Sequence, residues 1–356
     1  MKSLVQHIYE RRHVNNSVIL LSNHIYDKLK ELVNTPANNP KFNNETLLYE
    51  LYKEYYNEYD IEIWFNDIQG FDWWETQLLT FGLLDNPEYT EYDCDMVVRL
   101  ENMSKDEFGC MDRSEPILSI NANHFKTSNS FKKNSGAIRN TLIHELTHYL
   151  QYMGNVMKGG THQKKETIKY DKIFYDEANK LNNQKYATMS FMIYSFTANE
   201  RHARVSGMYG IMQEEFESLM KDFNKKHKNG TKEEFVDFVI GQNKYNDNTL
   251  HIQHYGDFLK SLEDDTYADY KKCIDDPNTI YRDDSSIYIF LNFCDHCNPK
   301  PSYLLPKKNT CIFNTQTEEE YNIVKNSIIS MFKKNFDKYV KNIKEVVGDY
   351  YDSMMS

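Results

Sequence analysis

Glycine and proline are scarce in this chain, at 13 and 8 of 356 residues. That excludes collagen-like and Pro/Gly-rich low-complexity compositions. Disorder over most of the length is excluded by the opposite signal, since 40% of residues are hydrophobic and 14% aromatic. No run approaches the ~18 consecutive apolar residues of a membrane-spanning helix, so no membrane partner is expected. Six cysteines (Cys94, Cys110, Cys273, Cys294, Cys297, Cys311) are too few for a disulfide scaffold and fit ordinary intracellular usage. A basic excess is also missing. The formal net charge is −11, and no block of Lys and Arg interleaves with aromatics as a phosphate-tracking groove requires. The densest lysine cluster, KDFNKKHKNGTKEE (221–234), is flanked by acidic residues and reads as a solvated helix end and loop. Nucleic acid is therefore not expected as a partner. In MKSLVQHIYERRHVNNSVILLS, Glu10, Arg11, Arg12 and His13 stand where a signal peptide needs its apolar core. The expectation is residence in a cytoplasm, and non-classical export or virion association is compatible with it.

The length exceeds that of one ordinary core. The expected organisation is a mainly helical region over 1–94, a catalytic core over 95–230 and a mixed α/β region over 231–356. The fold class expected is α+β. DMVVRLEN (95–102) and PILSINANHF (116–125) alternate and are rich in Ile and Val, which predicts strands; IEIWFND (61–67) is a shorter candidate. FDWWETQLLTFGLL (71–84) reads as a helix with a bulky buried face, TANERHARVSGMYGIMQEEFESLMKDF as a long helix, and SSIYIFLNF (285–293) as a short strand. A terminal helix is predicted over about 317–350. KNGTKEE, near 228–235, is the most plausible boundary.

TLIHELTHYLQYM (141–153) carries the chemistry. Asn134 or Ser135 can cap this helix and Gly154 can end it. Ile138, Leu142, Leu146, Tyr149, Leu150 and Met153 share one broad face at 3.6 residues per turn. His144 and His148 lie one turn apart on the other side, so both imidazoles can bind one metal ion without bending the backbone. Glu145 is angled away from direct ligation but can reach a water on the metal. Two ligands plus a general base are the mechanical content of His-Glu-x-x-His.

A catalytic zinc usually holds three protein ligands. Gln151 and Gly154 occupy the positions where the metzincin extension has its Gly and third His, so the third ligand is sought downstream. Glu166 sits in HQKKETIKY and Glu177 in YDEANK, both polar segments without an apolar face. Glu200 directly follows the apolar run YATMSFMIYSF (186–196), with small Ala203 one turn on, where a second helix could approach closely. Glu200 is favoured; Glu166, Glu177 and His162 remain alternatives, as does a capping box Thr197-Ala-Asn-Glu200 in which Glu200 merely satisfies the helix start.

His144-Glu145-Leu-Thr-His148 followed by Asn199-Glu200-x-x-Ala203 resembles the zincin metallopeptidases, and within them the gluzincin branch of which thermolysin is the familiar member. The resemblance covers roughly 95–212. It implies a zincin-like core, His144, His148 and Glu200 as ligands of one catalytic zinc, Glu145 as base, a protein or peptide substrate, and PILSINANHF as the edge strand that holds the substrate extended. Two departures stand out. The gap from His148 to Glu200 is longer than in thermolysin, and Arg204 stands where thermolysin-like enzymes carry an Asp that supports a ligand histidine.

His202, Tyr209, His254 and Tyr255 are candidate oxyanion donors, among which the sequence does not choose. Cys294-x-x-Cys297 and His251-x-x-His254, with Cys273 and Cys311, could assemble a structural zinc, but one CxxC with irregular partners is a weak signal and buried or free thiols are expected. The function expected is a zinc-dependent metalloendopeptidase. The alternative is a non-catalytic zinc-stabilised structural or binding protein with a zincin-like core, against which an intact Glu145 argues.

Overall fold

The computed structural model describes residues 15–34, 58–69, 96–104, 107–111, 117–124, 128–156, 191–192, 195, 198–228, 230–242, 247–275, 285–296 and 317–356. These residues are mostly helical, with one small mixed sheet, an α+β arrangement. In chain order they form α1 (Asn16–Asn34), β1 (Glu58–Ile63), β2 (Met96–Glu101), β3 (Gly109–Met111), β4 (Ile117–Asn121), α2 (Ser128–Lys133), α3 (Ser135–Val156) and α4 (Ala198–Lys226). There follow α5 (Lys232–Ile240), α6 (Asp247–Asp264), α7 (Tyr267–Asp275), α8 (Ser286–His296) and α9 (Glu318–Met355). The helix expected over 71–84 lies outside the described residues. No helix among them is long and apolar enough to cross a membrane.

The chain divides into two compact units: residues 1–162, 202–248 and 342–356 form one, residues 163–201 and 249–341 the other. Both α4 and α9 continue unbroken through a division, between Arg201 and His202 and between Lys341 and Asn342.

In the first unit the strand order is β1-β2-β4-β3. β1 is antiparallel to β2, β2 parallel to β4, and β3 antiparallel to β4. The two central strands are largely buried: Met96, Val97, Val98 and Leu100 of β2, and all five residues of β4, are buried. One core joins this sheet to α1, through Val18, Leu21, Ile25, Tyr26, Leu29 and Val33, and to α3, through Ile138, Leu142, Ile143, Leu146, Tyr149 and Leu150. The apolar face read from the α3 sequence is thus the face that packs. The helix begins where the sequence placed its cap, the Asn134 carbonyl accepting from Ile138 N–H at 2.9 Å. It passes Gly154 and ends at Val156.

The strand expected at PILSINANHF forms as β4 but is internal; among the described strands β1 and the three-residue β3 are the edges, β3 on the side of β4. So short a strand, GCM, has no alternation from which to predict it. What holds it is Asn121, fully buried at the end of β4. Its amide nitrogen donates to the carbonyls of Ser104 (2.8 Å) and Glu107 (2.6 Å), and its oxygen accepts from Asn123 N–H (3.1 Å). The His124 ring stacks on Phe108, centroids 3.8 Å apart. This clamp fixes the backbone that enters β3.

The second unit has its own core, including Tyr255, Phe258, Leu262, Tyr270, Ile287, Phe290, Tyr321 and Phe332. Here SSIYIFLNF, expected as a strand, forms the first part of α8. Ile287, Tyr288, Ile289, Phe290 and Leu291 are all buried, and a run apolar on every side fits a buried helix as well as a buried strand. The local capping decides it. The Ser285 hydroxyl accepts from Tyr288 N–H (3.0 Å), while the buried Asp265 carboxylate accepts from Ile287 N–H (3.0 Å), the Ser285 hydroxyl (3.0 Å) and the Tyr321 hydroxyl (2.7 Å).

Candidate metal centre

His144 and His148 stand on the face of α3 away from the shared core, their rings edge to face with centroids 4.7 Å apart. Glu200 lies in the first turn of α4, two residues before the division that crosses this helix, and is 1% exposed. One donor atom from each of the three residues lies within 4.8 Å of the others. Among the described residues, no other cluster of three or more His, Cys, Asp or Glu is placed to hold a metal ion. Glu166, Glu177 and His162, the alternative third ligands, lie outside the described residues, as do Thr197 of the capping-box alternative and Cys94, Cys297 and Cys311.

Within the first unit, α4 crosses α3 closely. A Cβ built on Gly210 would lie 2.7 Å from the carbonyl carbon and oxygen of Arg139. One on Gly207 would collide with the Asn140 side-chain oxygen and lie 3.1 Å from its carbonyl oxygen. Only glycine allows α4 to lie this close to the α3 backbone. Contacts then run in opposite senses along the two helices, from Gly210 at Arg139 to His202 at Gln151. Ala203, read from the sequence as a small residue at a close approach, is fully buried. A polar cluster locks the same crossing. Arg139 pairs with Glu214, donates to Asn23 and lies 3.7 Å over the Tyr26 ring, and the Tyr26 hydroxyl donates to Glu214 at 3.1 Å. Burial, then Glu214, pushes the Tyr26 hydroxyl up to about 12.

Glu145 faces the sheet edge. Its Oε2 accepts the Met111 N–H of β3 at 3.0 Å, and its Oε1 is 3.7 Å from His144 Nε2. The helix, the edge strand and the carboxylate therefore meet beside the candidate ligands. The Met111 amide had no sequence signal. Gln151 had a faint one: it stands three residues after His148, within reach on a helix. Its Oε1 is 3.2 Å from His148 Nδ1 and its Nε2 is 3.0 Å from His202 Nδ1.

The candidate oxyanion donors separate. His202 adjoins the candidate ligand His148 through Gln151. Tyr209, two turns further along α4, stacks edge-on with Tyr350 at 5.3 Å, and its hydroxyl is raised by burial. His254 is exposed. Tyr255 is a core residue of the second unit whose hydroxyl donates to the Phe332 carbonyl at 3.2 Å. Cys273 is buried and Cys110 is exposed.

The donor set itself can be tested for fit. Two imidazole nitrogens and a carboxylate oxygen suit a divalent ion of borderline softness. A tetrahedral ion with such ligands at about 2.0–2.2 Å spaces its donors about 3.4 Å apart. The observed spread of up to 4.8 Å is wider than that, and the three residues are of the types and in the proximity that could hold a metal ion. Comparisons with protein-family models, with curated proteins and with solved structures find nothing that matches this chain.

Proposed function

We propose that the protein is a zinc-dependent metallopeptidase of the gluzincin type, with His144, His148 and Glu200 as ligands, Glu145 as general base and a zincin-like core formed by the first unit's sheet and α3. The observation that carries this reading is the convergence of the three donor atoms within 4.8 Å, with Glu145 beside them at the edge of the sheet. Zinc bound there would supply a Lewis acid and a water of lowered pKa. Glu145 takes the water's proton and returns it to the leaving nitrogen when the peptide bond breaks. The Met111 N–H holds the Glu145 carboxylate in place, so little reorganisation is needed when it takes up the proton. Apart from the Met111 N–H, which Glu145 occupies, the edge strand β3 offers backbone hydrogen-bonding groups to a polypeptide laid out in extended form.

A metal-stabilised structural protein would need the same three ligands but not Glu145. Glu145→Gln therefore separates the two functions. Metal content and fold should be retained, and hydrolysis in a proteome-wide cleavage screen should fall by roughly 10²–10⁴-fold. Wild-type turnover in this variant would remove Glu145 as base.

A further inference from the structure

The departure at Arg204 leaves open what supports the ligand histidines, and the structure supplies an answer on α3 itself. We propose that Gln151 is a positioning residue, an amide relay that fixes the proton positions of His148 and His202 together. The inference deepens the metallopeptidase reading and rests on His148 being a metal ligand.

The argument follows from the inventory of donors. A glutamine side chain has one accepting oxygen and one donating nitrogen. Its Oε1 faces His148 Nδ1 at 3.2 Å, so His148 must carry its proton on Nδ1 and donate it. Its Nε2 faces His202 Nδ1 at 3.0 Å, so His202 must accept there and carry its proton on Nε2. The first consequence is that Nε2 of His148 presents a lone pair, the state a metal ligand requires. A partner on the far nitrogen of a ligating histidine fixes ring orientation and raises basicity. The second consequence is that His202, two residues from Glu200, points an N–H donor away from Gln151. Reversing the amide would face its nitrogen to His148 and its oxygen to His202, moving both protons to the wrong nitrogens. One side chain thus selects both tautomers, and it does so across the crossing of α3 and α4. Carboxylates are the usual partners of ligating histidines. An amide is distinguished by its polarity, because it can receive from one ring and give to another.

The test uses the full chain and two readouts. In the metal-free protein, ¹⁵N histidine spectra, assigned with His148→Asn and His202→Gln variants, should show His148 as the Nδ1–H tautomer and His202 as the Nε2–H tautomer. Gln151→Leu, close in size but without polar atoms, should lose both preferences and bind zinc about 10–100-fold more weakly, with an unchanged circular dichroism spectrum. Gln151→Glu accepts from both rings. It should keep the His148 tautomer and at least wild-type zinc affinity, while moving the His202 proton to Nδ1. The relay is overturned if His148 is the Nε2–H tautomer in the wild type, if Gln151→Leu leaves both tautomers in place, or if Gln151→Glu weakens zinc as much as Gln151→Leu does. Tautomers as expected in a wild-type chain that takes up no zinc would overturn the metal reading and uphold the relay.

Discussion

Replacing Gly210 by alanine tests the crossing of α4 on α3, beside which the candidate ligands stand. The new methyl would sit 2.7 Å from the carbonyl carbon and oxygen of Arg139 and 3.0 Å from Asn140 N. Carbon contacts settle at about 3.5–4.0 Å, so the helices must part by about 0.8 Å or more. The obstacle is backbone, which cannot rotate aside. Overpacking of this kind costs about 1–3 kcal/mol, and the better helix propensity of alanine returns about 1 kcal/mol. The net expectation is a loss of about 1 kcal/mol. Gly256 provides the control. It lies inside α6, and a Cβ there meets nothing within 4 Å. Gly256→Ala should therefore gain up to about 1 kcal/mol from propensity alone. The two variants should differ by about 2 kcal/mol, or roughly 4–8 °C in Tm for units of this size, by differential scanning calorimetry. Zinc titration adds a second arm. Glu200 rides on the helix that Gly210→Ala displaces, so affinity should fall at least about tenfold there, the effect of roughly 1.4 kcal/mol, and stay unchanged in Gly256→Ala. Equal Tm shifts of the same sign, or a Gly210→Ala protein more stable than wild type, would refute the close approach.

The purified chain should carry about one zinc per molecule, and His144→Ala, His148→Ala and Glu200→Ala should each lose most of it by elemental analysis; full metal in the Glu200 variant would return the search to Glu166 and Glu177. Asp265→Ala strands the Ile287 amide and the Ser285 and Tyr321 hydroxyls inside the second core and should cost about 2–4 kcal/mol in denaturant unfolding. Burial, reinforced by neighbouring Glu214, raises Glu215 from its ordinary 4.5 to about 7. The folded state then holds a proton that the unfolded state has released, so this group's contribution is fullest below 4.5 and is lost as pH rises to about 7. Glu215→Gln should raise Tm at pH 8 and flatten the fall in stability between pH 4.5 and 7; an unaltered pH profile would rule out the shifted carboxyl.

The helical carrier of the site was legible because its signals agree: a cap at Asn134, an apolar face from Ile138 to Leu150 and two histidines one turn apart. The central strands were legible for a similar reason, since β2 and β4 consist of β-formers bounded by polar segments. Three things were not. The edge strand is held by Asn121, whose partners at Ser104 and Glu107 are local backbone groups with no sequence signature. The conformation of 285–293 depends on Asp265, twenty residues upstream of Ser285, which no window around the apolar run contains. The register of α4 on α3 depends on Gly207 and Gly210, and a glycine inside a helical pattern reads as a weakness until the opposing backbone is seen. Glu200 was reached from the apolar segment before it and the small residue after it. Gln151 was considered only as a position where another family's glycine is missing, because its partner His202 lies fifty-one residues away.

The hydrogen bond from Met111 to Glu145 bears on how the protein behaves in a test tube. A bare sheet edge invites another chain to add a strand, and short, blocked edges are how folds discourage it. On the β3 side the edge is three residues long, and one of its amides is already occupied by a carboxylate. The choice of inactive control therefore matters for solubility. Glu145→Gln keeps an oxygen that can hold the Met111 amide. Glu145→Ala exposes that amide, and such a protein should pellet or elute early from a sizing column where the glutamine variant does not.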